Sequence, residues 1–324
     1  MTRELHSSSD ELPPKTPPNT LDTLVPAARD AIRRHELSAA VDLLEQALSI
    51  DYENEEVVIS LKYTGFWKDR HDAAQEIADP LERGDYYLNQ WKLFSKFVDR
   101  VGSAGEPMMN AMRQFAFGLA RVSYEIVYER AGADAALMLR IGRCFKGSGA
   151  YDKALGFLES AAAEEKDNPE ILAELADCYA LVNETKAAKA FFREAFFLGP
   201  QRIDLENLES ELIRRLVSKV RHLGYNGPAL NEWIPVHGVL QGIFTVKREL
   251  RAIEYGKLKQ AIYSLERERG DGRNRDQLLA PRLINRYFWL IDHYVSTQED
   301  QAKVDEVLWK IRDVDESVYK QYVW

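Results

Sequence analysis

The side chains able to do chemistry are few and scattered. Six histidines, His6, His35, His71, His222, His237 and His293, could ligate a metal or carry a proton. None lies in an H-E-x-x-H string or at paired ligand spacing. His293, between Asp292 and Tyr294, falls on an amphipathic stretch where a packed or surface histidine is expected. Lys146-Gly147-Ser148-Gly149 lacks the spacing of a phosphate loop and reads as a turn. Arg83-Gly84-Asp85 and Arg269-Gly270-Asp271 spell an adhesion tripeptide, a coincidence in a cytoplasmic chain. The stretch from Gly270 to Asp276 reads as an exposed, charged loop, and Asp271 and Asp276 lack calcium-loop spacing. The expectation is no catalytic centre, no cofactor and no metal: a chain that is not an enzyme.

Charge and length bound the alternatives. The 324 residues hold 45% hydrophobic and 29% charged residues, ample for a folded core. The formal net charge of −9 lies wholly in the first 200 residues, while residues 201–324 balance near zero. That disfavours a general nucleic-acid or anionic-membrane binder. Lys247, Arg248, Arg251, Lys257 and Lys259 make one basic stretch, diluted by Glu249 and Glu254. It reads as a solvated helix face, with nucleic-acid contact the alternative. Two cysteines, Cys144 and Cys178, argue against a disulfide framework. No apolar run reaches the roughly 18 residues that span a bilayer, and the first twenty residues carry no secretory pattern. A cytoplasmic protein is expected, with no membrane contact. Residues 1–20, with Pro13, Pro14, Pro17 and Pro18, read as a flexible tail.

The elements that would position any site are helices. Asn168-Pro169 and Asp79-Pro80, the latter with Glu82, are cap-then-proline helix starts. Tyr86, Tyr87, Trp91, Phe94 and Phe97 mark an aromatic helix, and a second long one runs from about Pro107 to Tyr128. Leu205, Leu208, Leu212, Leu216 and Val220 form one stripe that predicts a single long helix. Gly227-Pro228 and Ala280-Pro281 open further helices. Tyr287, Leu290, Ile291 and Tyr294, then Val304, Leu308 and Ile311, predict a last hairpin. Strand alternation is nowhere found.

A period of 34 residues runs through these helices. Shifting residues 135–168 onto 169–202 places Gly142 on Ala176, Phe145 on Tyr179, Ala154 on Ala188, Leu158 on Phe192 and Ala161 on Ala195, with Pro200 closing the copy. Residues 21–54 give Ala28, Ala31, Ala40, Leu44 and Ala47 in the same places, and residues 55–83 a weaker copy with Lys62, Gly65, Ala74, Ala78 and Leu81. This pattern resembles the tetratricopeptide repeat, in which small residues sit where paired helices approach and large ones fill the gap to the neighbour. Five hairpins are expected before residue 200. Residues 21–202 form the repeats, with a lengthened hairpin at 84–131, and residues 203–324 form an irregular helical extension.

The resemblance implies an all-α fold, a right-handed superhelix of stacked helix hairpins with a helical C-terminal extension. It also implies that Cys144 and Cys178, one repeat apart, are buried core thiols. Function then falls to the concave groove lined by the first helix of each hairpin. The groove positions are Arg29; Tyr63 and Phe66; Arg140, Arg143 and Lys146; Glu170 and Asp177. Their mixed charges and aromatics suit a protein or peptide partner, so the expected role is an interaction scaffold. Arg143 with Asp177, and Arg140 with Glu174, could instead pair with each other at the surface. Tyr63, Phe66 and Trp67 with Tyr86, Tyr87 and Trp91 line a pocket or, preferably, fill a core. Co-chaperone members of the family clamp a carboxylate through Lys, Asn and Arg. Here those places hold Leu139, Arg143, Glu174, Asp204 and Leu208, and only Arg143 is cationic. Tyr319, Tyr322, Val323 and Trp324 either cap the last hairpin or dock a second copy, which leaves a homo-oligomer open.

Overall fold

The computed structural model describes residues 20–132, 134–271 and 276–323. Among them every regular element is a helix, in two compact units divided between Ser123 and Tyr124. His6, the proline tail to residue 19, the centre of the charged loop at 272–275, and Trp324 lie outside the described residues.

In the first unit, α1 (Leu21–Arg33) and α2 (Leu37–Ile50) form a hairpin. His35 turns the chain between them in the left-handed region, at φ 66°. Ala28, Ala31, Ala40 and Ala47 are fully buried where the two helices meet, because a larger side chain there would push them apart. Asn54 then caps α3 (Glu55–Gln75) through the amide of Val57 at 3.1 Å. Here the expectation of a hairpin within 55–83 is corrected: α3 is one uninterrupted helix. The place that His35 occupies in the first copy is held by Asp69, which stays helical. Without a residue that leaves the helix, the apolar face simply continues. Asp79 caps α4 (Pro80–Val101), accepting from Leu81 and Glu82 at 2.7 and 3.2 Å. Gly102 ends it at φ 94°, and α5 (Glu106–Ala131) follows. Three long helices thus replace the two hairpins expected over residues 55–131.

The second unit restores the regular pattern. Helices α6 (Ala135–Gly147) and α7 (Tyr151–Glu164) turn at Gly149, at φ 83°. Helices α8 (Pro169–Leu181) and α9 (Thr185–Leu198) turn at Asn183, at φ 66°. Both residues fall in the frame position of His35. At Gly142 an added Cβ would lie 2.8 Å from Leu158 Cγ, so α6 and α7 meet there closely enough to need a minimal side chain.

After two short 3₁₀ turns, Pro200–Arg202 and Leu205–Asn207, come α10 (Glu211–His222), α11 (Gly227–Leu240), α12 (Ala252–Gly270), α13 (Leu279–Ser296), α14 (Gln301–Val314) and α15 (Glu316–Val323). The single helix expected from Leu205 is corrected: α10 begins only at Glu211. Leu208, Ile213, Leu216 and Val217 join Leu172, Ala173 and Ala176 of α8 in one apolar core with Phe192 and Phe196. Helix α8 is therefore buried on nearly every side. The final hairpin, α13 with α14, turns at Gln298 (φ 55°) and is followed by α15, whose Tyr322 stacks on Phe288 at 4.7 Å.

Candidate functional site

In the first unit the predicted site residues behave mainly as core. Tyr63 is fully buried and donates its hydroxyl to the carbonyl of Gly102 at 2.5 Å. Its ring meets Phe94 edge-on at 5.0 Å. Trp67, also fully buried, packs on Phe94 and Phe115. Tyr87 accepts or donates a 2.8 Å bond with His71 Nδ1, and burial pushes its hydroxyl up to about 12. Tyr63, Trp67 and Tyr87 pack into the junction of α3, α4 and α5, with Phe66, Tyr86 and Trp91 half-buried. Phe66 is half-buried, with the Arg70 guanidinium 3.4 Å from its ring centre. Arg29 is half-buried on α1.

In the second unit the charged groove positions form an internal lattice. Arg143 donates Nε to Glu174 Oε1 at 2.6 Å and Nη2 to Glu170 Oε1 at 2.8 Å. Lys146 donates Nζ to Glu174 Oε2 at 2.5 Å, to Asp177 Oδ2 at 2.7 Å and to the carbonyl of Asn207 at 2.9 Å. An ammonium has three protons, and all three are used. Asp177 in turn accepts the amides of Glu209 and Ser210, each at 2.8 Å. Its two oxygens thereby fix the backbone just ahead of α10, which is why that helix cannot begin earlier. Burial alone would lower the Lys146 ammonium, yet the carboxylates of Asp177 and Glu174 outweigh it and hold it above the usual lysine range. Arg143 is raised above its ordinary value against the same opposing effect of burial, by Glu174 and Glu170.

Two expectations are corrected here. The pairs are not Arg143 with Asp177 and Arg140 with Glu174 at the surface. They are Arg143 with Glu170 and Glu174, and Lys146 with Glu174 and Asp177. Lys146, Glu174 and Asp177 are all buried. A solvent-facing groove at Lys146 and Asp177 is likewise absent, because residues 203–210 and α10 cover that face of α8. The covering segment carries an apolar stripe that gives no sign of what it covers; its reason shows only once Lys146 and Asp177 are seen to grip its backbone. Arg140, half-buried, donates to the carbonyl of Ala136 at 3.3 Å, and Glu170 remains partly exposed.

Cys144 and Cys178 are buried and are not joined in a disulfide. Burial pushes Cys178 up to about 12, so it is protonated and unreactive at neutral pH.

The basic stretch is mostly paired as well. Arg248 bridges Glu194 at 2.7 Å and Glu254 at 3.0 Å, Arg251 meets Glu254 at 2.9 Å, and Lys247 lies 3.3 Å from Asp292. Asp292 also pairs with buried Arg193, which donates to the carbonyl of Phe244. Trp289 stacks on Phe197 at 4.1 Å with the Arg193 and Arg248 guanidinia 5.1 and 5.4 Å from its ring. Neither Arg193 nor Asp292 stands out in the sequence, because partners about 99 residues apart leave no local pattern. Beside them, α9, α12 and α13 enclose a cleft of about 350 Å³.

Among the described residues no group of three or more His, Cys, Asp or Glu side chains is placed to hold a metal ion. No helix among them is long and apolar enough to cross a membrane.

No curated protein matches the chain. Residues 145–212, from the end of α6 through α8 and α9 to the backbone that Asp177 grips, match the family model for the tetratricopeptide repeat. With the 34-residue hairpins seen on either side of Asn168, the chain is a protein containing tetratricopeptide repeats.

Proposed function

We propose that the protein is a non-catalytic scaffold that binds a protein partner, using the accessible members of the predicted set: Arg29 and Phe66 in the first unit, Arg140 and Glu170 in the second. The observation that carries this reading is the fate of the chemically capable side chains. Lys146, Asp177 and Glu174 are buried in mutual ion pairs and Cys178 is held protonated, so these groups serve rigidity. A rigid helical surface on each unit presents partner contacts with little ordering cost. The pairing of Arg248, Arg251 and Lys247 with carboxylates favours a protein over a nucleic acid as partner.

The test is capture of partners by the tagged full chain carrying Arg29→Glu and Arg140→Glu, separately and together. Partner recovery is expected to fall while the unfolding midpoint stays near wild type. Undiminished recovery with both reversals removes these two surfaces, one on each unit, from the proposal.

A further inference from the structure

The cleft between α9, α12 and α13 holds three cations, Arg251, Lys257 and Arg286, and only Arg251 has an ion-pair partner among the described residues. Phe197, Leu258 and Ala261 give it an apolar lining, and Leu198 and Ile253 stand at its edge, 37% and 74% exposed. Its acids Glu194 and Glu254 are already claimed by Arg248 and Arg251. Arg286 is half-buried in the cleft and donates one Nη1 proton to the carbonyl of Arg282 at 3.1 Å. The acid that acts on it, Glu232, is taken by Arg282 at 2.8 Å. Among the described residues no carboxylate forms an ion pair with Arg286 or with Lys257, which also lines the cleft. Asp167 is the one further acid in the lining, and it acts on Arg251.

A guanidinium held in a half-enclosed apolar setting and short of an anion is a site for one. The apolar contacts show what accompanies it. Ile253, Lys257 and Ala261 recur every fourth residue along α12, so a cation lies between two apolar positions spread over roughly 12 Å. A ligand that uses all three must extend to both sides of its carboxylate. That geometry fits an acidic side chain within a chain and disfavours a chain terminus.

We infer that this cleft binds a peptide segment in which an aspartate or glutamate is flanked by bulky apolar residues, its carboxylate on Arg286 and Lys257 and its apolar side chains on Ile253, Phe197 and Leu258. The inference rests on the scaffold reading but uses other residues of the second unit than Arg140 and Glu170.

The probe is a short acetylated and amidated peptide with a central Leu-Leu-Glu-Leu-Leu, titrated into the full chain by fluorescence anisotropy. Replacing its Glu by Gln is expected to weaken binding about tenfold or more, the size of a lost charge-assisted contact. Arg286→Gln should do the same, with Arg286→Lys recovering part. Ile253→Glu, at an exposed position, should abolish binding with unfolding unchanged, and so tests the site even if Arg286 variants fold poorly. Equal binding of the Gln peptide, no binding of the Glu peptide, or wild-type binding by Ile253→Glu would overturn the proposal. Tighter binding of a peptide ending in a free Leu-Leu carboxylate would overturn the side-chain assignment. Intact probe binding with lost effect of the Arg29 and Arg140 reversals rejects the scaffold surfaces alone, and the converse rejects the cleft alone.

Discussion

Tyr63 of α3 and Arg143 of α6 hold the same place in the 34-residue frame, as do Phe66 and Lys146 one turn later. The first unit fills that place with rings: Tyr63 against Phe94, and Phe66 against Phe94 and Phe97. The second fills it with charge: Arg143 and Lys146 against Glu170, Glu174 and Asp177. Tyr63 and Lys146 are each buried at the centre of their set, but the two sets fail differently. An aromatic seam loses area in proportion to what is removed. A buried ion lattice is stable only while every member is compensated, because one missing partner strands a desolvated charge.

That difference ranks the expected losses. Lys146→Met is the most damaging, since Asp177 then loses its ion-pair partner, Glu174 keeps only Arg143, and Asn207 loses its donor. Urea unfolding of the full chain should show a loss of about 3–5 kcal/mol in the second unit's transition. A loss below about 1 kcal/mol would mean that the lattice is not a buried one. The closest counterpart in the first unit, Tyr63→Phe, removes only the hydroxyl bonded to Gly102. It should lose about 1 kcal/mol, with the first unit's transition shifting and the second's fixed.

Between these sits the close contact of α6 with α7. Gly142→Ala brings a Cβ to 2.8 Å from Leu158 Cγ, so α6 and α7 must separate or Leu158 must change rotamer. Overpacking of this kind costs about 1–3 kcal/mol. Thermal unfolding of the variant checks it, and an unchanged midpoint would show that Leu158 yields freely.

How far these regions could be read beforehand depends on the range of the interactions that set them. Asn168-Pro169 and Asp79-Pro80 were legible because a cap and its amides lie within three residues, and Gly227-Pro228 because a proline sits in the first turn. The hairpin turns at His35, Gly149 and Asn183 follow the same local logic, and the absence of such a residue at Asp69 explains why α3 runs on. The start of α10 was not legible. Its apolar stripe extends back to Leu205, but the backbone there is held by Asp177 and Lys146, 32 and 61 residues away from the amide and carbonyl they bind. The site set was legible as a register and illegible as a surface, because spacing places Lys146 and Asp177 on one face of the repeat without showing that α10 covers it. Arg286 gave no signal at all: what marks it is a missing partner, which only the packing of α9, α12 and α13 defines.

The surface network around Arg248 supplies the weakest and most conditional of the ionic contributions. Glu254 accepts from the side chain of Arg251, from Arg248 and from the Arg251 amide, and these bonds, with Arg251 foremost, lower it from near 4.5 to about 2. A carboxylate whose folded value is depressed stabilises the fold above its unfolded value and loses that contribution as pH falls through the folded one. The window is therefore pH 4.5 down to about 2. Because Arg251 is 78% exposed, solvent screens the pair and the full effect stays below about 1 kcal/mol. The stability difference between wild type and Glu254→Gln should accordingly be a fraction of a kcal/mol at neutral pH, shrink in strong salt and vanish near pH 2. The difference made by Lys146→Met should be nearly insensitive to the same salt, since the lattice it breaks is closed to counterions. If salt erased both differences alike, the two networks would share one dielectric environment and the contrast between surface and core charge would collapse.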